Sequence, residues 1–217
     1  MNNKVGIIFD MDGTLLESMH IWINLYTDLL KKFGISSKEN IYDIASKMSL
    51  PEIAEYMVRK HSIKKTPKEV LSIIHDYIEN FYFNEVNTKE KAKEVLEYFN
   101  DKNVPMSVAT LTNKKYTLGA LDHNEITQFF NPILTCREVG HYKTEPNIYL
   151  KCAKIMDTQV QNTYVVEDTL YALKTANKAG FITVGIYDVN AEPDREEIKK
   201  EAKFYIKNLS ELKEVIK

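Results

Sequence analysis

Two aspartates that directly follow a short apolar run are the residues best placed for chemistry in this chain. Residues 5–9 form the run, and Asp10-Met11-Asp12-Gly13-Thr14 follow at once. An apolar run of this length, bounded by acids and a glycine, predicts a buried strand. Side chains two apart on an extended segment lie on the same side. Asp10 and Asp12 would therefore share a small volume, where their repulsion favours a bound cation or one shared proton.

Such a pair of carboxylates suits phosphoryl transfer. Asp10 would attack phosphorus as a nucleophile and form an aspartyl-phosphate. Asp12 would protonate the leaving oxygen and later activate the hydrolytic water. A magnesium ion would neutralise the approaching charges, and the Thr14 hydroxyl would hold a carboxylate in place. An isolated Asp-x-Asp is usually a solvated turn, but the apolar strand before it and Gly13-Thr14 after it favour the functional interpretation.

The segment after Thr14 changes from strand to helix and stays helical for about seventy residues by its apolar periodicity. Helices are predicted up to the stop at Gly34 and then over 41–47, 51–60 and 67–81, with no convincing strand before Val104. The first of these helices has apolar residues at helical spacing: Met19, Ile23, Tyr26, Leu29, Leu30 and Phe33. We therefore predict an inserted all-helical cap domain, 17–86, within a core formed by 1–16 and 87–217.

The core alternates between helices and strands. Helices are predicted over 88–99, 113–123, 146–156, 170–178 and 195–202, and Ser210 is expected to cap a terminal helix. Strands are predicted over 106–109, 133–135, 164–166, 182–186 and, at the edge, 204–206. These strands lack polar alternation, which is typical of a parallel sheet covered by helices on both faces. The predicted fold class is α/β, with a Rossmann-like parallel sheet.

Polar residues also follow later strands of the predicted core. Thr110 comes after the second strand, Lys143 lies in a loop, and Glu167-Asp168 end another strand. Alone, each has a simpler interpretation: a helix cap for Thr110, a solvated charge for Lys143, and acids at a helix N-terminus for Glu167-Asp168. Ligands bind at the carboxyl ends of parallel strands, so the order of these residues favours one shared site.

This order and setting resemble the haloacid dehalogenase superfamily of phosphohydrolases. That family has Asp-x-Asp-Gly-Thr on its first strand, Ser or Thr after the second, a later Lys, and an acidic pair after the fourth. The resemblance implies that Asp10 is the nucleophile and a magnesium ligand, and that Asp12 is the acid/base residue whose carbonyl also binds the metal. It implies that Lys143 neutralises the phosphoryl group and Asp10. Asp168 would complete the magnesium shell, with Glu167 ligating directly or through water.

The resemblance also places residues at the substrate. Thr110 would hydrogen-bond the transferring phosphoryl group, with Leu111 and Asn113 nearby. The helical insertion corresponds to the family's caps over the active site, as in β-phosphoglucomutases and related phosphatases. Trp22 stands where the mutases carry a histidine. We therefore expect a magnesium-dependent phosphatase, with substrate contacts from Thr14, Leu111, Asn113 and Trp22, and keep a β-phosphoglucomutase-like sugar-phosphate mutase as the alternative.

The composition of the chain indicates which kinds of molecule it binds and in which compartment it occurs. Lysine plus arginine number 29 against 31 acids, a net charge of -2, so no overall basic field favours nucleic acid. The apolar run at the N-terminus is too short for a signal peptide or a membrane span. Two cysteines, Cys136 and Cys152, suit a reducing compartment. We expect a cytoplasmic protein, a monomer or weak homo-oligomer, that acts on a small phosphorylated metabolite.

Two other classes of protein fit the sequence less well. A receiver domain is about 120 residues long and has its phosphate acceptor on the third strand, so it does not fit this chain. A binding protein with a degenerate site is disfavoured because every expected catalytic residue type is present.

Overall fold

The computed structural model describes residues 4–36 and 48–217, and the chain divides into two compact units. The core unit contains Met1–Glu17 and Val86–Lys217, and the helical unit contains Ser18–Glu85. The helix predicted over 41–47 lies outside the described residues.

The core unit is built on a parallel sheet of six strands. They are β1 (Gly6–Phe9), β2 (Met106–Thr110), β3 (Phe130–Thr135), β4 (Thr163–Glu167), β5 (Ile182–Ile186) and β6 (Phe204–Ile206). The spatial order is β3-β2-β1-β4-β5-β6, and every neighbouring pair is parallel. The strand order therefore reverses beside β1, which has β2 on one side and β4 on the other. A crevice at the carboxyl ends of strands is expected at such a switch point.

Helices connect the strands and flank the sheet. Those of the helical unit are α1 (Met19–Lys32), α2 (Leu50–His61) and α3 (Pro67–Asn84). Those of the core unit are α4 (Ala92–Asp101), α5 (Lys114–His123), α6 (Cys136–Val139), α7 (Asn147–Met156), α8 (Leu170–Lys178), α9 (Arg195–Glu201) and α10 (Leu212–Val215). The predicted α/β class, a parallel sheet flanked by helices, is confirmed.

The central strands are buried because helices cover them. Ile8, Ala109 and Val165 from β1, β2 and β4 pack in one apolar cluster with Ile148 and Cys152 from α7. All five are completely buried. Burial on both faces explains why these strands read as continuous apolar runs rather than as alternating ones.

The starts of three elements in the core unit lie two or more residues from their predicted positions. Helix α4 begins at Ala92 rather than at residue 88, because Thr88 pairs with Leu16 in an antiparallel bridge and the Lys89 amide donates to the Leu15 carbonyl at 2.8 Å. Strand β3 begins three residues earlier than predicted, at Phe130. Asn208, not Ser210, caps the last helical segment, which starts with a 3₁₀ turn at Leu209–Glu211.

The helical unit follows its local sequence signals at the helix ends. Thr66 and Glu69 form a capping box at the start of α3: the Thr66 amide donates to Glu69 Oε2 at 2.7 Å, and the Glu69 amide donates to Thr66 Oγ1 at 3.3 Å. Beyond α1, Gly34 has φ of +71°, a conformation that glycine adopts without a steric penalty. The predicted stop at Gly34 is confirmed.

The buried face of α1 was predicted only in part. Its buried residues are Ile21, Leu25, Tyr26, Leu29 and Leu30. Met19, Ile23 and Phe33, which were expected on this face, are only half-buried. Apolar residues occur on more than one side of α1. Periodicity alone therefore does not determine which side of the helix is buried.

The described residues also show the state of the two cysteines and whether a helix could span a membrane. Both cysteines are free thiols buried in the core unit. Within 4–36 and 48–217, no helix combines the length and apolar character required to cross a bilayer.

Candidate active site

The carboxyl ends of β1 and β4 bring three acidic side chains together. Phe9 pairs with Val166 in register, and the Asp10 amide donates to the Val166 carbonyl at 3.0 Å. Asp10 therefore lies beside Glu167, the last residue of β4, and Asp168 follows directly. One carboxylate oxygen from each of the three lies within 4.8 Å of the others. All three side chains are buried.

Lys143 is the cation at this acidic cluster. Its side chain is only 2% exposed, and its ammonium group donates to Asp10 Oδ1 and, at 2.6 Å, to Glu167 Oε1. Burial by itself lowers the pKa of Lys143, but the charges of Asp10 and Glu167 outweigh it and raise that pKa well above the usual value. Lys143 therefore stays protonated and bridges the nucleophile candidate to Glu167.

One lysine does not balance three buried carboxyl groups. Burial raises the pKa of Asp10 from 3.8 to about 8, against the opposing charge of Lys143, and Glu167 and Asp12 raise it further. Burial, with the charges of Asp10 and Glu167, also raises the pKa of Asp168 well above its usual range. The cluster carries an excess of negative charge that a cation or a proton has to compensate.

Glu167 is held by residues that the sequence analysis did not identify. Its Oε1 accepts a hydrogen bond from the Tyr149 hydroxyl at 3.0 Å, and its Oε2 accepts one from Thr169 Oγ1 at 3.1 Å. Tyr149 lies on α7, completely buried. A tyrosine on a predicted amphipathic helix looks like an ordinary core residue, so no signal in the sequence distinguished it. Thr169, two residues after Glu167, could have been found as a local hydrogen-bond partner.

Asp12 is not one of the three carboxylates that lie within 4.8 Å of one another, and the loop after β2 orients it. Thr112 Oγ1 donates to Asp12 Oδ2 at 2.6 Å, and the Thr112 amide donates to Thr110 Oγ1 at 3.0 Å. Thr110, the last residue of β2, is buried. Since its oxygen accepts that bond, its hydroxyl hydrogen can point to a ligand. Thr112 is a candidate site residue that the sequence analysis missed, although its position two residues after a strand-end threonine offered a signal.

The remaining predicted substrate contacts have different surroundings. Thr14 is completely buried, and its hydroxyl lies 3.3 Å from Asp168 Oδ1, so it holds a carboxylate of the cluster. Asn113 caps α5 by accepting from the Lys115 amide at 3.0 Å. Leu111 is 47% exposed. Trp22 belongs to the helical unit, where its indole N–H donates to the Tyr82 hydroxyl at 3.0 Å. The substrate contacts assigned to these residues remain predictions.

Comparison with known proteins identifies the family to which this arrangement belongs. The family profile described as haloacid dehalogenase-like hydrolase matches residues 7–186. The chain belongs to this family. The hydrolase is 22% identical over 179 residues to the phosphorylated carbohydrates phosphatase of Thermotoga maritima, covering 81% of each chain. It is 23% identical over 186 residues to fructose-1-phosphate phosphatase YqaB of Escherichia coli, covering 83% of this chain and 95% of that one.

Solved structures agree with the hydrolase fold. A candidate β-phosphoglucomutase from Thermotoga maritima superposes with a TM-score of 0.81 at 19% identity and 97% coverage of both chains. A family hydrolase from Deinococcus radiodurans R1, with bound phosphate and sodium, gives a TM-score of 0.74 at 19% identity, covering 99% of this chain and 96% of that one. At these identities the likeness concerns the fold alone. The curated relatives named above are phosphatases, so the chain is a hydrolase of a phosphatase-containing family.

The donor set of the hydrolase fits a divalent cation. Carboxylate oxygens are the ligands that magnesium prefers in proteins. Asp10 and Asp168 lie in one cluster, where Lys143 shares its single positive charge between Asp10 and Glu167 while Asp168 accepts a hydrogen bond from the neutral Thr14 hydroxyl. The excess negative charge in a buried site is the feature that a cation would relieve.

A second ion pair, between the half-buried Lys89 and the buried Asp188, lies near this site of the hydrolase. Lys89 Nζ is 2.8 Å from Asp188 Oδ2 and 3.2 Å from the Tyr187 carbonyl, and Asp188 is 3% exposed. Asp188 follows β5, and its charge is among the causes that raise the pKa of Asp168. This ion pair therefore links the segment after Val86 to the loop after β5, whose Asp188 charge acts on the acidic cluster. Sequence analysis missed it because its members are far apart along the chain.

Proposed function

We propose that this hydrolase is a magnesium-dependent phosphatase that releases phosphate from a small phosphorylated metabolite through an aspartyl-phosphate on Asp10. The observation that carries the proposal is the buried contact of Asp10 with Lys143 beside Glu167 and Asp168. A carboxylate nucleophile needs a nearby positive charge to approach an anionic phosphate ester. Lys143 supplies a fixed positive charge at that point.

In the first chemical step, a carboxylate oxygen of Asp10 forms a bond to phosphorus as the bond between phosphorus and the ester oxygen breaks. Asp12 gives its proton to the leaving oxygen, so the alcohol departs neutral. Lys143 balances charge on Asp10 and on the transferring group. The Thr110 hydroxyl donates to a phosphoryl oxygen, since its own oxygen is already used by the Thr112 amide.

In the second step, Asp12, now a carboxylate, takes a proton from water as the water oxygen attacks phosphorus. The bond between phosphorus and Asp10 breaks, which releases inorganic phosphate and restores both aspartates to their starting protonation states. The 2.6 Å hydrogen bond from Thr112 holds Asp12 in one orientation for both proton transfers.

Asp10, Asp168 and the Asp12 carbonyl would hold the magnesium ion, with Glu167 as a direct or water-mediated ligand. When bound, the ion supplies positive charge that keeps Asp10 ionised and offsets the charge of the phosphate. Glu167 is engaged by Lys143, Tyr149 and Thr169, which supports an orienting role for it beside the ion.

We further propose that the substrate is a phosphorylated sugar or a related metabolite, since the relatives described above are named for phosphorylated carbohydrates and fructose 1-phosphate. The helical unit, Ser18–Glu85, would serve as the cap domain that selects among such esters. Trp22 stands in place of the mutase histidine and already donates to Tyr82, which supports hydrolysis over a mutase cycle. A cytoplasmic location is proposed on the two free, buried thiols.

The test is hydrolysis of p-nitrophenyl phosphate by the purified chain. Magnesium should support turnover and a chelator should abolish it. Asp10→Asn should remove turnover, whereas Asp157→Asn, at an exposed helix end with φ of +56° that asparagine tolerates, should retain it. Magnesium-dependent turnover by Asp10→Asn at the level of the unmodified chain would refute the proposal. Faster interconversion of sugar phosphates than phosphate release, in a coupled assay, would favour the mutase.

A further inference from the structure

A pocket in the core unit opens beside the residues proposed for catalysis. Its volume is about 410 Å³, and its lining comes from the loop after β2 and from the segment that leads to Lys143. The lining residues are Leu111, Cys136, Arg137, Gly140, His141 and Tyr142.

The pocket adjoins the catalytic residues along the chain and in space. Leu111 directly follows Thr110, and Tyr142 directly precedes Lys143. Cys136 lies between the two regions: it lines the pocket, and the charges of Lys143 and Asp10 both act on the pKa of its thiol, which burial raises. The pocket therefore borders the Asp10–Lys143 pair at Cys136.

Arg137 is a positively charged residue of the pocket without an oppositely charged partner in the described ranges. The acidic neighbours are already paired: Glu138 caps its own helix through Thr135 and contacts Lys114 at 3.3 Å. His141 Nδ1 lies 3.1 Å from Glu145 Oε2. Arg137 itself is exposed and has no hydrogen bond, ion pair or ring contact with any residue of the described ranges. Its planar guanidinium suits a carboxylate or a phosphate, which it can bind through two parallel hydrogen bonds.

The rest of the lining suits a carbon chain. Tyr142 is 73% exposed and Leu111 is 47% exposed. An exposed aromatic ring and an aliphatic side chain next to an unpaired cation can cover the backbone of a short polyol while the cation binds its charged end.

We propose that this pocket is a specificity subsite in which Arg137 binds a second anionic group of the substrate, at the end remote from the phosphate that is hydrolysed. The inference rests on the proposed phosphatase function and deepens it. Phosphorylated hydroxy acids and bisphosphates would then be hydrolysed in preference to the matching esters with a neutral end.

The experiment measures kcat/KM for matched pairs of esters. Two pairs differ by a carboxylate: 6-phosphogluconate with glucose 6-phosphate, and 3-phosphoglycerate with glycerol 3-phosphate. A third differs by a phosphate: fructose 1,6-bisphosphate with fructose 1-phosphate. The unmodified chain should prefer the more anionic member of at least one pair by about tenfold, the size expected for one charge-assisted contact of about 1.4 kcal/mol. The responding pair shows whether the group is a carboxylate or a phosphate.

The variants are Arg137→Gln and, as a matched loss of positive charge, Lys178→Gln. Lys178 is exposed at the far end of α8. Arg137→Gln should abolish the preference through KM, while its turnover of p-nitrophenyl phosphate stays within about twofold of the unmodified chain. Lys178→Gln should keep the preference.

Three outcomes would overturn the subsite. One is the absence of a preference in all three pairs, another is a preference that survives in Arg137→Gln, and a third is an equal loss for both members of a pair. In each of these cases the unmodified chain still hydrolyses p-nitrophenyl phosphate, so the proposed function stands. A chain that hydrolyses no phosphate ester would overturn the function and the subsite together.

Discussion

Replacing Asp10 by asparagine should stabilise the metal-free protein, by an amount that grows with pH. The pKa of Asp10 rises from 3.8 to about 8 in the folded chain, chiefly because the carboxyl group is buried. Between about pH 4 and pH 8 the folded chain therefore holds a proton that the unfolded chain has released. The free energy of unfolding falls as pH rises through this window. The asparagine side chain does not titrate, so this contribution to the fall in the free energy of unfolding is absent from the variant.

The size of the effect follows from the same linkage. Each pH unit in which only the folded carboxyl group holds the proton changes the free energy of unfolding by about 1.4 kcal/mol. Between about pH 5.5 and pH 8, the advantage of Asp10→Asn over the unmodified chain should therefore grow by roughly 3 kcal/mol. Lys143 keeps a partner in the variant, because it also contacts Glu167 at 2.6 Å.

Urea unfolding in the presence of a chelator, followed by far-ultraviolet circular dichroism, measures this difference. Trp22 fluorescence is unsuitable, since the tryptophan belongs to the helical unit. Asp157→Asn serves as the control and should show no growing advantage. Excess magnesium at pH 8 should stabilise the unmodified chain more than Asp10→Asn. The difference in free energy of unfolding could instead be constant across the pH range, or the unmodified chain could be more stable than Asp10→Asn at pH 8. Either result would refute the conclusion that Asp10 is a buried carboxyl group whose negative charge is incompletely compensated in the metal-free protein.

Two further predictions concern groups other than Asp10. Lys89→Met should lower the free energy of unfolding by about 3 kcal/mol, because it removes the cationic partner of the buried Asp188 at 2.8 Å while the Asn190 amide groups still donate to Asp188 Oδ1, and adding Asp188→Asn should restore part of that loss. Urea unfolding of both single variants and the double variant checks this, and purely additive losses would contradict it. Burial raises the pKa of Cys152 to about 12, so this thiol should resist a disulfide reagent in the native protein and react in urea. Thiol titration of Cys136→Ser isolates it, and rapid native reaction would be inconsistent with its place in the core.

The fold and the order of the site residues could be predicted because they depend on local signals. Asp10, Thr110 and Glu167 stand at or just after strand ends, and apolar runs mark those strands without knowledge of the packing. Parallel strands present their carboxyl ends on one edge, so the topology alone predicts that these residues gather there. The observed register of β1 and β4 places Asp10 beside Glu167 in this way.

The residues that sequence analysis missed act through long-range contacts. Tyr149 reaches Glu167 from a helix, and Lys89 meets Asp188 across about half of the chain. No local spacing encodes either contact. Thr112 lies close to a predicted site residue, but its partner Asp12 is 100 positions away in the sequence. Such contacts depend on tertiary packing, which propensity and periodicity do not contain.

Errors in the predicted elements have similar causes. Helix α4 starts later than expected because Thr88 pairs with Leu16, a contact made between distant segments. Helix α1 buries Ile21 and Leu25 rather than Ile23, since its apolar residues allow more than one stripe and the neighbouring helices decide between them.

The most direct test of the mechanism is to trap the phosphoenzyme. The purified chain is mixed with a phosphate ester and magnesium, quenched in acid, and digested for peptide mass spectrometry. The account predicts a phosphoryl group on the peptide that contains Asp10, located on that residue, and its absence from Asp10→Asn. A chain that turns over rapidly while carrying its phosphoryl group on another residue would contradict the account.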